Sequence, residues 1–241
     1  MLLLVDNSKD LSTAQMTPLL LQYLVGHPLR MPVVVASSLT EVRRCLQLYR
    51  PWGAILSGGP LLLAERNTVG SYNKNITTLL HMERHRRPVL GICFGMQLMA
   101  AAYGGQVEGM RRKRQGQALV RRVRGARSHL WPAAADAWPM SVSHRDRVAR
   151  APEGFEVTSR YEDGTIQSME NHRHHKYGVQ FHPEGNKHGH LLLDRFLAIC
   201  VSSWRLRLPR APAATPLPAS PASPASPASP ASPATEPTAE H

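Results

Sequence analysis

One junction constrains this chain more than any other. Pro88–Ile92 is a short apolar run, and Phe94–Tyr103 has helical spacing. A buried strand is therefore expected to pass into a helix with almost no loop. The junction reads Gly91-Ile92-Cys93-Phe94-Gly95. A strand that turns at once into a helix places the turn at the carboxyl edge of a sheet, with the helix packed back on that sheet. Small residues on either side permit the tight turn. Cys93 is then lifted clear of the edge at a helix N-terminus, whose partial positive charge favours a thiolate. This is the G-x-nucleophile-x-G elbow with sulfur in place of oxygen. The plain alternative is a buried cysteine behind a glycine-rich turn.

The surrounding sequence agrees with such a sheet. Leu2–Val5, Met31–Ala36, Trp52–Leu56 and Pro88–Ile92 read as strands, Met31–Ala36 as a buried one. Helices are expected at Gln15–Val25, at Glu41–Tyr49 with Thr40 as N-cap, at Ile76–His85 and at Phe94–Tyr103. Alternation of this kind predicts an α/β fold, an open twisted and largely parallel sheet with helices on both faces. After Gly105 the pattern changes to short alternating runs at Ala118–Val123, Trp138–Val142, Phe155–Ser159, Thr165–Met169 and Tyr177–Phe181. These predict a small antiparallel sheet in addition, closed by a helix over Gly189–Trp204.

From Pro218 to Ser232 the chain repeats Pro-Ala-Ser. Such units carry no large apolar side chain and cannot offset the entropy of ordering. The expected organisation is a folded domain over 1–207 and a disordered tail over 208–241. Three cysteines in 241 residues exclude a disulfide scaffold. No apolar run approaches the length that spans a bilayer, and no secretory signal is legible, so a cytoplasmic protein without membrane contact is expected. The chain ahead of Pro209 carries +13 of formal charge, which attracts polyanions or an acidic partner protein without saying which. With no zinc-finger spacing and no aromatic-rich RNA-binding signature, nucleic acid is not the expected partner.

Two further motifs fall at expected strand ends. Phe181-His182-Pro183-Glu184 offers a cysteine nucleophile its base and an acceptor that orients the imidazole. In a plain strand His182 and Glu184 share a face. Ser57-Gly58-Gly59-Pro60 exposes backbone amides at the same edge, where an oxyanion hole is built. His172, His174, His175, His188 and His190 fit no zinc spacing and read as surface residues, so no metal is expected.

Together, Ser57-Gly58-Gly59-Pro60, Gly91-Ile92-Cys93-Phe94-Gly95-Met96-Gln97 and Gly178-Val179-Gln180-Phe181-His182-Pro183-Glu184 resemble the class I (triad) glutamine amidotransferases in order and spacing. The resemblance runs from Met1 to about Trp204. Val5-Asp6-Asn7, Met140–Asp146 and Ala151–Val157 look most like the glutaminase domain of GMP synthase. The resemblance implies Cys93 as nucleophile, His182 as general base and acid, and Glu184 as its orienter. It implies an oxyanion hole from the amides of Gly59 and Phe94. Gln97 would help hold the substrate, and the Ser143-His144-Arg145 backbone would line the glutamine pocket. Lys113-Arg114-Gln115-Gly116 stands where the family has Arg-Glu-aromatic-Gly, and Leu61-Leu62-Leu63 where it has a more polar loop.

The implied reaction is hydrolysis of L-glutamine to glutamate and ammonia, with no cofactor. A separate ATP-dependent amination (synthetase) subunit would receive the ammonia. Leu61-Leu62-Leu63 and the basic Arg111–Arg127 stretch are the expected docking surface, against the alternative that the leucines begin a buried helix. Two other functions fit the same residues: a stand-alone γ-glutamyl peptidase or hydrolase, and a non-catalytic regulatory scaffold.

Overall fold

The structure is a computed structural model, and it describes residues 1–8, 16–63 and 69–206. The Pro-Ala-Ser tail, Gln15 and the expected boundary at 207/208 lie outside the described residues. Nine strands form one continuous sheet in the order β2-β1-β3-β4-β9-β8-β7-β5-β6. Here β1 is Leu2–Val5, β2 Val33–Ala36, β3 Gly53–Leu56 and β4 Val89–Ile92; β5 is Gln106–Arg122, β6 Ala137–Arg150, β7 Glu156–Arg160, β8 Ile166–Asn171 and β9 Lys176–Val179. The first five in spatial order, β2-β1-β3-β4-β9, run parallel. β9 then pairs antiparallel with β8, so the antiparallel strands extend the parallel sheet.

Strand alternation sorts the apolar residues into two cores. Leu2, Leu4, Ile55, Leu90 and Ile92 face helices α1 (Met16–Gly26) and α5 (Lys187–Arg205), against Leu20, Leu24, Leu193 and Phe196. Leu3, Val5, Ala54, Leu56 and Val89 face α2 (Leu39–Tyr49), α3 (Val69–Arg84) and α4 (Phe94–Ala102), against Val42, Leu46, Met82, Met96 and Met99. Burial on both faces explains why these strands read as unbroken apolar runs. Among the described residues no helix is long and apolar enough to cross a membrane.

Three expectations are corrected. Met31–Ala36 is not a buried strand. Its strand part, β2, is the outer strand of the described sheet, and Val33, Val34 and Val35 are only half-buried because no described strand pairs beyond them. Thr40 is not the cap of α2. Ser38 is, in a capping box: its hydroxyl accepts from the Glu41 amide at 3.2 Å while the Glu41 carboxylate accepts from the Ser38 amide at 3.0 Å. The runs at Ala118–Val123 and Trp138–Val142 are parts of much longer strands. β5 and β6 pair from Gln106↔Arg150 to Arg121↔Ala137, with an irregularity between Gly109 and Arg114 where β5 gains residues against Asp146–His144.

Candidate active site

The carboxyl ends of β1, β3, β4 and β9 meet at one edge, where ligands of open α/β sheets bind. Asp6 and Asn7 follow β1, Ser57-Gly58-Gly59 follows β3, Cys93 follows β4, and Gln180–His182 follows β9. A cleft of about 670 Å³ opens there. It is lined by Cys93, His182, Gly59, Gln97, Ser143, His144 and Arg145 among the expected site residues, together with Gly58, Leu61, Leu62 and Lys113. Phe94 and Glu184 do not line it. They lie buried directly behind Cys93 and His182.

Cys93 has φ +50° and ψ −104°, a left-handed backbone that a β-carbon disfavours. The local packing enforces it. α4 leans so close to β3 that a β-carbon on Gly95 would lie 2.2 Å from the Leu56 carbonyl oxygen, and one on Gly91 would lie 2.6 Å from that of Gly95. Side chains at either position would push α4 off the sheet. The Cys93 amide is tied to the Val179 carbonyl at 2.7 Å, which fixes β4 against β9 at the elbow. Phe94 opens α4, where helix geometry provides its amide no acceptor.

His182 extends β9 and bridges to β6, its amide donating to the Ser141 carbonyl at 2.8 Å. Pro183–Gly185 then forms one 3-10 turn, which brings the Glu184 carboxylate back to His182 Nδ1 at 2.9 Å. Glu184 does not engage the other ring nitrogen, and His182 and Cys93 line the same cleft. Burial alone would push the imidazole towards its neutral form. The Glu184 carboxylate and Cys93 outweigh it and hold the ring well above its ordinary value. A ring held in this way can take up a proton and give it back.

The glycine loop is pinned from below. The Asn7 amide donates to Ser57 Oγ at 2.8 Å, and Asn7 Nδ2 donates to the Ser57 carbonyl at 2.9 Å. Asn75 Nδ2 donates to Asn7 Oδ1 at 2.8 Å, and the buried Lys74 ammonium donates to the Asp6 and Ser37 carbonyls. Nothing in local sequence marks Lys74 or Asn75, because a mid-helix lysine and asparagine normally face water.

Gln97 lines the cleft and is itself held by protein groups. Its Nε2 donates to the Asp146 carbonyl at 2.9 Å and to Gln180 Oε1 at 3.2 Å, so its amide donors are spent on protein. His144 Nδ1 also meets the Asp146 carbonyl, at 2.8 Å, and burial pushes this ring down to about 4. It is neutral around neutral pH. Gln180 was missed in the sequence, although it lies fully buried with Nε2 3.6 Å from Cys93 Sγ.

Leu61 and Leu62 are half-buried walls of the cleft and begin no helix. A second hollow of about 690 Å³ lies under the irregular part of β5, among Arg111, Arg112, Lys113, Arg114 and Arg147. Lys113 borders both. The histidines read as surface residues are half-buried instead. His188 stacks on Trp138, His190 stacks on Tyr23, and His172 reaches Glu170 at 3.0 Å. His129, Glu170 and His172 present ligand atoms within 4.8 Å of one another. Their imidazoles are stacked 14° from parallel, so the ring lone pairs run side by side and do not converge on one ion.

The family model for class-I glutamine amidotransferases matches residues 4–200. A glutamine-hydrolysing GMP synthase from Leifsonia xyli is 38% identical over 160 residues, covering 61% of this chain and 29% of that protein. One from Neisseria meningitidis serogroup C is 36% identical over 162 residues, covering 64% and 29%. The chain thus spans less than a third of the length of these relatives. Among solved structures, a protein described as a GMP synthase subunit from Thermoplasma acidophilum superposes with a TM-score of 0.67 at 21% identity, covering 85% of this chain and 96% of that one. A glutamine amidotransferase from Thermotoga maritima gives 0.61 at 16% identity, covering 86% and 83%. Both share the fold.

Proposed function

The chain belongs to the class-I glutamine amidotransferase family, and on that premise we propose that it hydrolyses L-glutamine to glutamate and ammonia through Cys93, His182 and Glu184. The observation that carries the reading is that Cys93 and His182 line one cleft while the buried Glu184 carboxylate meets His182 Nδ1 at 2.9 Å. Cys93 gives its proton to His182 and attacks the side-chain amide carbon of glutamine. The amides of Gly59 and Phe94 receive the oxyanion, each donor contributing about 3 kcal/mol. His182 passes its proton to the departing ammonia as the C–N bond breaks. A glutamyl thioester remains on Cys93. His182 then takes a proton from water, the hydroxide adds to the thioester, and glutamate leaves as the thiolate re-forms. Glu184 holds the imidazole ring in register and stabilises its charge in both halves.

The ammonia is destined for a separate synthetase subunit on this reading. Support comes from the GMP synthase relatives and from the Thermoplasma neighbour, itself described as a synthase subunit. One observation favours a second substrate: a cleft of about 670 Å³ is of the size that takes drug-sized ligands and exceeds a free amino acid. A γ-glutamyl peptide would enter the same chemistry with an amine in place of ammonia. The test is glutamate release from L-glutamine and from γ-glutamyl dipeptides by the full chain, beside Cys93→Ser. Glutamate from L-glutamine supports the main reading, and release from dipeptides alone supports the second. A scaffold releases none and leaves Cys93 unlabelled by a glutamine-like electrophile.

A further inference from the structure

Gln180 is fully buried, and no part of the mechanism above uses it. The register Ile92↔Val179 places Cys93 and Gln180 level on the adjoining strands β4 and β9, one step past their last pair. On that step the Gln180 side chain turns towards α4 and Gln97, and its Nε2 lies 3.6 Å from Cys93 Sγ.

Which end of the amide meets the sulfur follows from its partners. The Asp146 carbonyl only accepts, so the Gln97 atom 2.9 Å from it is the nitrogen. That nitrogen also lies 3.2 Å from the Gln180 amide, where it requires an acceptor, the Gln180 oxygen. The Gln180 nitrogen is then the end that faces Cys93. A backbone carbonyl of β6 thus anchors a chain of two amides that ends as a donor on the nucleophile.

Resting on the reading of Cys93 as nucleophile, we propose that Gln180 is a catalytic residue whose side-chain N–H holds the thiolate form of Cys93, and that Gln97 is the positioning residue that orients it. The neutral thiol donates towards the Ser143 carbonyl at 3.8 Å. Once the proton passes to His182, that carbonyl confronts an anion, and the Gln180 N–H is the donor that compensates. Hydrogen bonds to a charged group are about twice as strong as neutral ones, and a buried setting strengthens them further. The contribution also differs in kind from that of His182. The imidazole is charged only while it carries the proton, and it gives that proton up when the amine departs. The amide donates throughout. It supports sulfur as attacking group in thioester formation and as leaving group in thioester hydrolysis, and no proton is transferred through it.

The experiment is alkylation of Cys93 by iodoacetamide in the full chain, followed by mass spectrometry of the Cys93 peptide from pH 6 to 9.5. Wild type is compared with Gln180→Met and Gln180→Glu. The methionine removes the donor at similar size. The glutamate still accepts from Gln97 but sets a carboxylate oxygen against the sulfur. At pH 7 alkylation is expected to slow by about tenfold or more in Gln180→Met, and further in Gln180→Glu. The gap to wild type is expected to narrow towards pH 9.5 in both variants, more fully in Gln180→Met, because ordinary thiols are ionised there. A wild-type rate at pH 7 in a folded variant overturns the proposal. So does a loss by the same factor at every pH, which marks a packing role alone. If the methionine variant fails to fold, the glutamate variant, matched in shape and in its bond to Gln97, decides. Alkylation needs no turnover, so a chain that alkylates as described yet releases no glutamate refutes the proposed hydrolysis and leaves the assignment of Gln180 standing.

Discussion

Acidification is expected to weaken this fold through one residue of the cleft wall, His144. Burial is the main cause that pushes its ring down from 6.5 to about 4, against the raising effect of its bond to the Asp146 carbonyl. In the unfolded chain the same ring takes up a proton near 6.5. Between those two values the unfolded state binds the proton and the folded state refuses it, so stability falls as pH falls through that window and is unaffected above it. The loss amounts to about 2 kcal/mol between pH 7 and pH 5, and about 3 kcal/mol by pH 4. His182 adds no slope there. Its ring is raised in the folded state, so its contribution is complete below 6.5 and is lost only as pH rises through the folded value. Urea unfolding at pH 7 and pH 5 of wild type and His144→Gln measures the difference. Glutamine is polar and of similar size but does not titrate. Wild type should lose about 2 kcal/mol more than the variant over this interval. Equal losses in the two proteins would falsify the assignment of this acid sensitivity to His144.

Other perturbations have defined outcomes. Cys93→Ser should abolish glutamate release while leaving the melting curve close to wild type, because a hydroxyl in a thiolate site loses both ionisation and softness; turnover near the wild-type rate in the purified variant would sink the triad reading. Gly95→Ala forces a β-carbon to within 2.2 Å of the Leu56 carbonyl, so it should destabilise by about 3 kcal/mol, the upper part of the overpacking range, and a urea midpoint near wild type would contradict that contact. Ser38→Ala removes the hydroxyl that accepts from the Glu41 amide and should cost about 1 kcal/mol in urea unfolding, with glutamate release unchanged since α2 contributes nothing to the cleft. An unaltered stability there would return the cap to Thr40.

The strands that carry the site were legible because each is buried on both faces and so spells an unbroken apolar run. Leu2–Val5 and Val89–Ile92 are the clear cases. The reach of β5 was not legible. Its residues from Gln106 to Gln117 are exposed or half-buried and rich in arginine, and backbone pairing to β6 rather than side-chain burial makes them a strand. Cys93, His182 and Glu184 stood out because glycine and proline punctuate their turns. Gln180 lies in the same motif as His182, yet nothing local says that a glutamine there is sealed against a helix and bonded to Gln97. His172, His188 and His190 were misjudged for a related reason: stacking on His129, Trp138 and Tyr23 covers them, and that depends on partners distant in sequence.

The place of β9 has a consequence for a ribosome-bound chain. It is the strand between β4 and β8, yet Lys176–Val179 is synthesised some 80 residues after Ile92. At translation speeds of about 5–20 residues per second, roughly 4–16 s pass with β4 as an open margin. During that interval the cysteine at its tip lacks the neighbour strand that supplies both its imidazole and its amide donor. The residues at this edge of the sheet come together only once the last parallel strand lies between β4 and β8.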